Sequence, residues 1–415
     1  MRRVAALLAL LALAASCSRR ERANPLDGEN PRTGGAPEGF NAIAGETSVS
    51  LHWNARPDLP IDGFQLLRFE PGDSLFRLLG PVLPNSTSQF VDSGARSGLE
   101  YHYRLYYVIR GALGERFAED LAAPGPLRPW IVDAGGGRLI RLSPDGRDVA
   151  LQGNGFGESS GLAVTPGLGP VWVSDPLSGI VDIVDPGDLL GPRLRGIPKP
   201  STMALDPIDE SAWICDVSGS VQHYFSSGAP ASPASISLLD DPEGVATSPR
   251  DGALWVAEFA GARVRRFGRD GTPLGARPLL NPIRVAVDST NGEGWVTSVA
   301  SGYVWLLSPA LVVLDSLRFQ APFGIALDWR RRTAWIVDPD TGELLAVNMD
   351  TRAVRFRIGG LGVPRDVAVD LSRGDAWIVS AATGQAFRYS ASGVLLATVG
   401  DLGAPAEVRL DPGVQ

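Results

Sequence analysis

The C-terminal two-thirds of the chain is written in short apolar runs broken by turns. One run has the form Pro-x-x-φ-Ala-φ-Asp, as in Pro282-Ile283-Arg284-Val285-Ala286-Val287-Asp288 and Pro322-Phe323-Gly324-Ile325-Ala326-Leu327-Asp328. The next run starts with a tryptophan seven positions after that aspartate, as from Asp206 to Trp213, Asp288 to Trp295 and Asp370 to Trp377. It continues φ-φ-Asp, seen in Trp172-Val173-Ser174-Asp175 and Trp335-Ile336-Val337-Asp338, and a glycine follows shortly, as at Gly179, Gly261 and Gly342. A third, alternating run such as Arg263-Val264-Arg265-Arg266-Phe267 leads through a polar-Gly turn to a fourth. Equal spacing predicts equal hairpins, and hence four short antiparallel strands per unit.

The unit recurs. Trp130, Trp172, Trp213, Trp255, Trp295, Trp335 and Trp377 lie 42, 41, 42, 40, 40 and 42 residues apart. A strand-rich period of this length predicts a β-propeller, in which each small sheet must stack on its neighbours to bury its faces. Trp130 has no inner run before it, and the final run, Ala404-Pro405-Ala406-Glu407-Val408-Arg409-Leu410-Asp411, has no tryptophan after it. The two ends complete each other. The expectation for residues 128–415 is seven blades, the C-terminal strand supplying the inner strand of the blade begun at Trp130. An open solenoid is the alternative, and it would call for atypical polar caps.

Residues 37–123 alternate differently. Val49, Leu51 and Trp53, then Phe64 and Leu66, then Tyr101, Tyr103 and Leu105 mark strands of one small β-sandwich. The order of Trp53, Ile61-Asp62-Gly63-Phe64, Phe90-Val91-Asp92 and Gly98-Leu99-Glu100-Tyr101-His102-Tyr103 resembles a fibronectin type III domain. The resemblance implies a tyrosine corner at Tyr101 and a spacer or adhesive role. The fold class expected for the whole chain is therefore all-β, a sandwich followed by a propeller.

The first residues carry an address. Arg2 and Arg3 precede an apolar run from Val4 to Ala15 that is too short to span a bilayer, and Ala14-Ala15-Ser16-Cys17 ends it. Residues 1–16 thus resemble a bacterial lipoprotein signal peptide, which implies lipid attachment at Cys17; ordinary signal cleavage is the alternative. Several acyl chains would anchor the protein stably. Ser18 follows Cys17, and in the Gram-negative lipoproteins that the segment resembles this implies the outer membrane, with the face left open. Residues 17–36 are polar and rich in Arg, Pro, Asn and Gly, and read as a flexible tether. The chain has only one other cysteine, Cys215, so no structural disulfide is expected.

From Trp130 to Asp411 the repeats resemble NHL-type and gluconolactonase-like families, on the recurring Gly-φ-Ala-φ-Asp and Trp-Val-x-Asp. That group includes partner-binding scaffolds, lactonases and antibiotic-inactivating lyases, so the resemblance implies a fold rather than an activity. A formal net charge of −8 argues against nucleic acid as a partner. Only His52, His102 and His223 are available as imidazole bases, and each reads as a surface histidine.

Acidic residues end the second strands at Asp133, Asp175, Asp216, Glu258 and Asp338, with Ser298 and Ser380 in the same slot. Capping of the following turn accounts for this chemistry. Glu258, with its longer side chain, stands out as a functional candidate. The residue opening the inner strand is Gly161, Thr202, Gly244, Arg284, Gly324, Asp366 and Glu407 in successive copies. Where a slot that tolerates glycine holds a charge, it marks either a structural ion-pair set or a ligand rim. The candidate rim is Glu243, Glu258, Arg284, Phe323, Arg365, Asp366 and Glu407. No catalytic constellation and no required cofactor emerges, although carboxylates at one end of a channel could take a divalent metal. The reading is a lipid-anchored, non-catalytic binding or scaffold protein of the bacterial envelope. It would present the propeller to an envelope protein, peptide or glycan, and would touch the membrane through its lipid alone. The alternative is a carboxylate- and metal-dependent hydrolase or lyase of lactonase type.

Overall fold

The computed structural model describes residues 24–411 apart from 26, 28, 29, 31–33, 46, 71, 97, 98, 126 and 166–168. The expected signal peptide, Cys17 and most of the expected tether lie outside the described residues. Every helix or strand among the described residues is a β-strand, and the chain divides into two compact units.

The smaller unit takes in residues up to 41, 52–90 and 102–120. Its sheet runs in the order Arg77–Leu78, Gly63–Phe69, Tyr101–Ile109, Ala112–Ala122. Phe64 pairs with Tyr107 and Leu66 with Leu105, and all four side chains are buried because alternate residues of a strand share one face. The Trp53 ring packs 5.6 Å from that of Phe64, which in turn lies 5.7 Å from Tyr107.

The larger unit holds 42–51, 91–101 and everything from 121 onward. It contains most of a three-stranded sheet, Asn41–Ala44, Val49–His52 and Gln89–Asp92. The Tyr101 hydroxyl accepts a 2.8 Å hydrogen bond from the amide of Arg96. From residue 128 to 411 the described residues form seven four-stranded antiparallel sheets in succession. Six are built from consecutive strands. In the other, Pro405–Asp411 joins the near side of Arg128–Asp133, followed by Arg138–Leu142 and Val149–Asn154.

Register explains the repeat. In each of the six sheets the tryptophan lies opposite the alanine of the inner strand, as Trp172 opposite Ala163, Trp213 opposite Ala204 and Trp377 opposite Ala368. A small residue there leaves room for the indole beside it. The seven indoles are almost wholly buried, and each belongs to a core shared by its own sheet and the next. Trp335 packs with Val367 and Ile378 of the following sheet. Trp377, in the last sheet of the sequence, packs with Ile131, Val408 and Leu410 of the sheet built from both ends. Burying an aromatic of this size contributes on the order of 2–3 kcal/mol per copy. This all-β series of repeated four-stranded sheets is the arrangement expected of a β-propeller.

One expectation is corrected. His223 is not a surface residue: it is 2% exposed and lies opposite Trp213, with the rings stacked 3.7 Å apart at 9°. Arg141, Arg266 and Arg388 hold the corresponding position opposite Trp130, Trp255 and Trp377. His223 thus occupies a slot for a flat side chain lying over the indole. Burial lowers its pKa from the usual value, against the pull of the Pro233 carbonyl and of Asp209 and Asp206.

Candidate ligand site at the centre of the inner strands

Successive inner strands lie side by side, and Pro405–Asp411 neighbours both Pro364–Val369 and Gly161–Val164. The residue aligned with Gly161 in each copy therefore meets the next strand. Where it is glycine, there is no room for anything else. A Cβ on Gly161 would strike the Ser201 carbonyl, one on Gly244 would lie 2.5 Å from the Ile283 oxygen, and one on Gly324 2.8 Å from the Arg365 oxygen. Where it is polar, it ties to the neighbouring backbone. Thr202 donates to the Glu243 carbonyl at 2.7 Å, Asp366 accepts from the Val408 amide at 3.0 Å, and Glu407 accepts from the Leu162 amide at 2.8 Å.

Arg284 reaches farthest. Its Nη1 donates to the carbonyls of Ile283 and Glu243 at 3.1 and 3.3 Å. Its Nη2 comes within 3.6 Å of Glu407 Oε1. That oxygen is buried and has no hydrogen-bond partner. The Arg284 guanidinium also lies 5.0 Å from the Phe323 ring centre, and that of Arg365 lies 5.7 Å from the same ring. The structure therefore brings Arg284, Phe323, Arg365, Asp366 and Glu407 together, with Glu243 beside Arg284.

Sequence reasoning passed over Arg409. Its Nη1 pairs with Asp366 Oδ2, and its Nη2 lies 3.3 Å from Glu407 Oε2. The signal was present: Arg409 lies opposite Trp130, where the six other sheets have alanine. Burial alone would lower the Arg409 pKa, yet Asp366 and Glu407 outweigh it and raise it. For Glu407 burial dominates and pushes the carboxyl above the ordinary range, with Arg409 opposing and Asp366 reinforcing. Burial also raises Glu243, which Arg284 only partly offsets.

Glu258 stands apart from this cluster. It caps as its aspartate counterparts do, despite its length: Oε2 accepts from the Asp240 amide at 2.8 Å and pairs with Arg263 at 2.7 Å. Asp133 binds the amides of Gly403 and Ala404, and Asp338 those of Gln320 and Ala321, in the same way. Glu258 is wholly buried, so its place is in the loop-holding set.

Among the described residues no group of three or more His, Cys, Asp and Glu side chains is placed to hold a metal ion. The chemistry of the cluster points the same way. A hard cation needs carboxylate oxygens free of competing positive charge, whereas Arg409 occupies Asp366, and Arg284 and Arg409 flank Glu407. What the cluster offers outward is guanidinium donors beside an aromatic ring.

No protein-family model and no curated protein matches the chain. Solved structures do. A functionally unknown protein from Desulfotomaculum acetoxidans DSM 771 matches at 15% identity and TM-score 0.59, over 68% of this chain and 98% of that one. Saccharomyces cerevisiae Sqt1 matches at 14% identity and TM-score 0.53, over 67% and 83%. A streptogramin B lyase matches at 13% identity and TM-score 0.51, over 65% and 85%. Likeness at these identities speaks for architecture alone, and the architecture that this chain shares with these neighbours is the β-propeller.

Proposed function

We propose that the chain is a lipid-anchored, non-catalytic binding or scaffold protein of the bacterial envelope. In this reading residues 1–16 are a signal peptide, Cys17 carries the lipid, 17–36 are a tether and 37–123 form a fibronectin type III-like module. Residues 128–415 form a seven-bladed propeller closed by the C-terminal strand. The tie between Tyr101 and Arg96 supports the fibronectin-like module. Pairing of Pro405–Asp411 with Arg128–Asp133, and a core that joins Trp377 to Ile131, support closure. The partner is an envelope protein, peptide or glycan.

The observation that carries the non-catalytic reading is the placement of Arg284 and Arg409 on the central carboxylates. A metal-dependent hydrolase or lyase would need those oxygens for its cation. The test is thermal melting of chelator-treated protein with and without Ca²⁺, Mg²⁺ or Zn²⁺. A bound ion at a hundredfold excess over Kd would add about 2.7 kcal/mol. No shift is expected; a clear shift that disappears in Asp366→Asn/Glu407→Gln would replace the scaffold by the hydrolase or lyase reading.

A further inference from the structure

We propose that the Phe323 site, with Arg284 and Arg365 as its two guanidiniums, binds a carboxylate group of the partner. The inference rests on the binding-protein reading and narrows it to one ligand chemistry.

Elsewhere in the sheets, arginines beside buried carboxylates close their forks. Arg388 holds Asp375 with Nε and Nη2 at 3.0 and 2.7 Å, and Arg269 holds Asp206 and Asp209 at 2.6 Å each. The two guanidiniums at Phe323 do not. Arg365 is exposed and makes no ion pair among the described residues. Arg284 spends Nη1 on carbonyl oxygens, while its Nη2 has only the 3.6 Å approach to Glu407.

Charge decides the sign of the ligand. Asp366 is held by Arg409, and Glu407 lies between Arg409 and Arg284. Arg365 is the one guanidinium of the three that makes no ion pair among the described residues, so the group left to meet a ligand is positive and an anion is favoured over a cation. Both guanidiniums lie against Phe323, which limits their freedom and lowers the entropy lost when they engage a planar, two-oxygen acceptor. A carboxylate matches such a donor fork in shape as well as charge.

The test is calorimetric titration of the intact chain with N-acetyl-alanyl-alanine and its C-terminal amide, and in parallel with glucuronate and glucose. The free acids should bind and their neutral counterparts should not. Arg365→Gln and Arg284→Gln should each weaken binding about tenfold or more, equivalent to about 1.4 kcal/mol. Arg365 is exposed, so Arg365→Gln should melt as the parent does and keeps the test independent of folding. Response to the peptide acid alone assigns the carboxylate to a peptide, and response to glucuronate alone to an acidic sugar. Response to both assigns the site to carboxylates in general. No binding of either acid, equal binding of acid and amide, or unchanged affinity in Arg365→Gln would overturn the proposal. Those outcomes would leave the scaffold reading intact, because that reading is tested by the metal response.

Discussion

Arg409 and Asp366 form an ion pair between the last two inner strands of the chain, and Arg409 does so from a position that the other sheets give to alanine. The pair ties Pro364–Val369 to Pro405–Asp411, while Arg409 also reaches Glu407 on its own strand. Truncating Arg409 leaves Asp366, 5% exposed, without its cation, and leaves Glu407, 1% exposed, with only the 3.6 Å approach of Arg284. Arg409→Ala should therefore cost about 3–5 kcal/mol in denaturant unfolding. The double variant Arg409→Ala/Glu407→Gln should recover part of the loss. Arg284→Gln, which removes only a longer contact from a half-buried guanidinium and leaves Arg409 in place beside Glu407, should cost less than Arg409→Ala. Equal losses in the two single variants would contradict the pairing described here.

Deleting 406–415 should remove most of the strand that covers Arg128–Asp133. The exposed edge, and the loss of Val408 and Leu410 from the core around Trp377, should give a protein that melts far lower or accumulates poorly. A truncated chain with the parental melting temperature would rule out closure by the C-terminal strand.

Asp133 makes stability depend on acid. Burial would raise its carboxyl, but the amides of Gly403 and Ala404 and the guanidinium of Arg138 outweigh it and hold the group below the usual aspartate range. The folded state therefore releases this proton more readily than the unfolded one. Its contribution is complete above the ordinary aspartate pKa of about 3.9 and fades as pH falls through the lower folded value. Asp133→Asn should be less stable than the parent by about 1–3 kcal/mol at neutral pH. The gap should close in acid, as followed by urea unfolding across a pH series. A gap that stays constant would mean that the charge of Asp133 contributes nothing.

For the anchor, Cys17→Ser should move the protein from the detergent-extracted membrane fraction to the soluble one, since the thiol is the proposed acceptor of the lipid. Persistence of the serine variant in membranes would remove Cys17 from that role.

The repeat was legible because its determinants are local. Tryptophan and alanine sit at fixed places on adjoining strands, and an acid ends the second strand of most copies. Spacing alone aligns them. The centre was legible only in part. The opening positions could be aligned, which singled out Arg284, Asp366 and Glu407. Arg284 and Glu407 come from sheets that are not neighbours, and only the three-dimensional arrangement of the inner strands brings them to 3.6 Å. Arg409 was missed because attention to the opening slot hid an oddity two residues later. His223 was misread by placing it on an outer strand with its polar neighbours; alternation along Ser220–Tyr224 puts it on the same face as the buried Val221, and the register sets it opposite Trp213. Glu258 was singled out on length, yet the loop carrying the Asp240 amide meets its longer carboxylate.

The three glycines that open inner strands also limit what this molecule can become. At Gly161, Gly244 and Gly324 a neighbouring strand already fills the space a side chain would need. New specificity at the centre, whether by natural drift or by laboratory evolution, has to be written into the other four opening positions, Thr202, Arg284, Asp366 and Glu407, and into the residues beside them. Libraries that randomise all seven slots would consist almost entirely of chains that cannot close up, because closure requires glycine at all three of these positions at once.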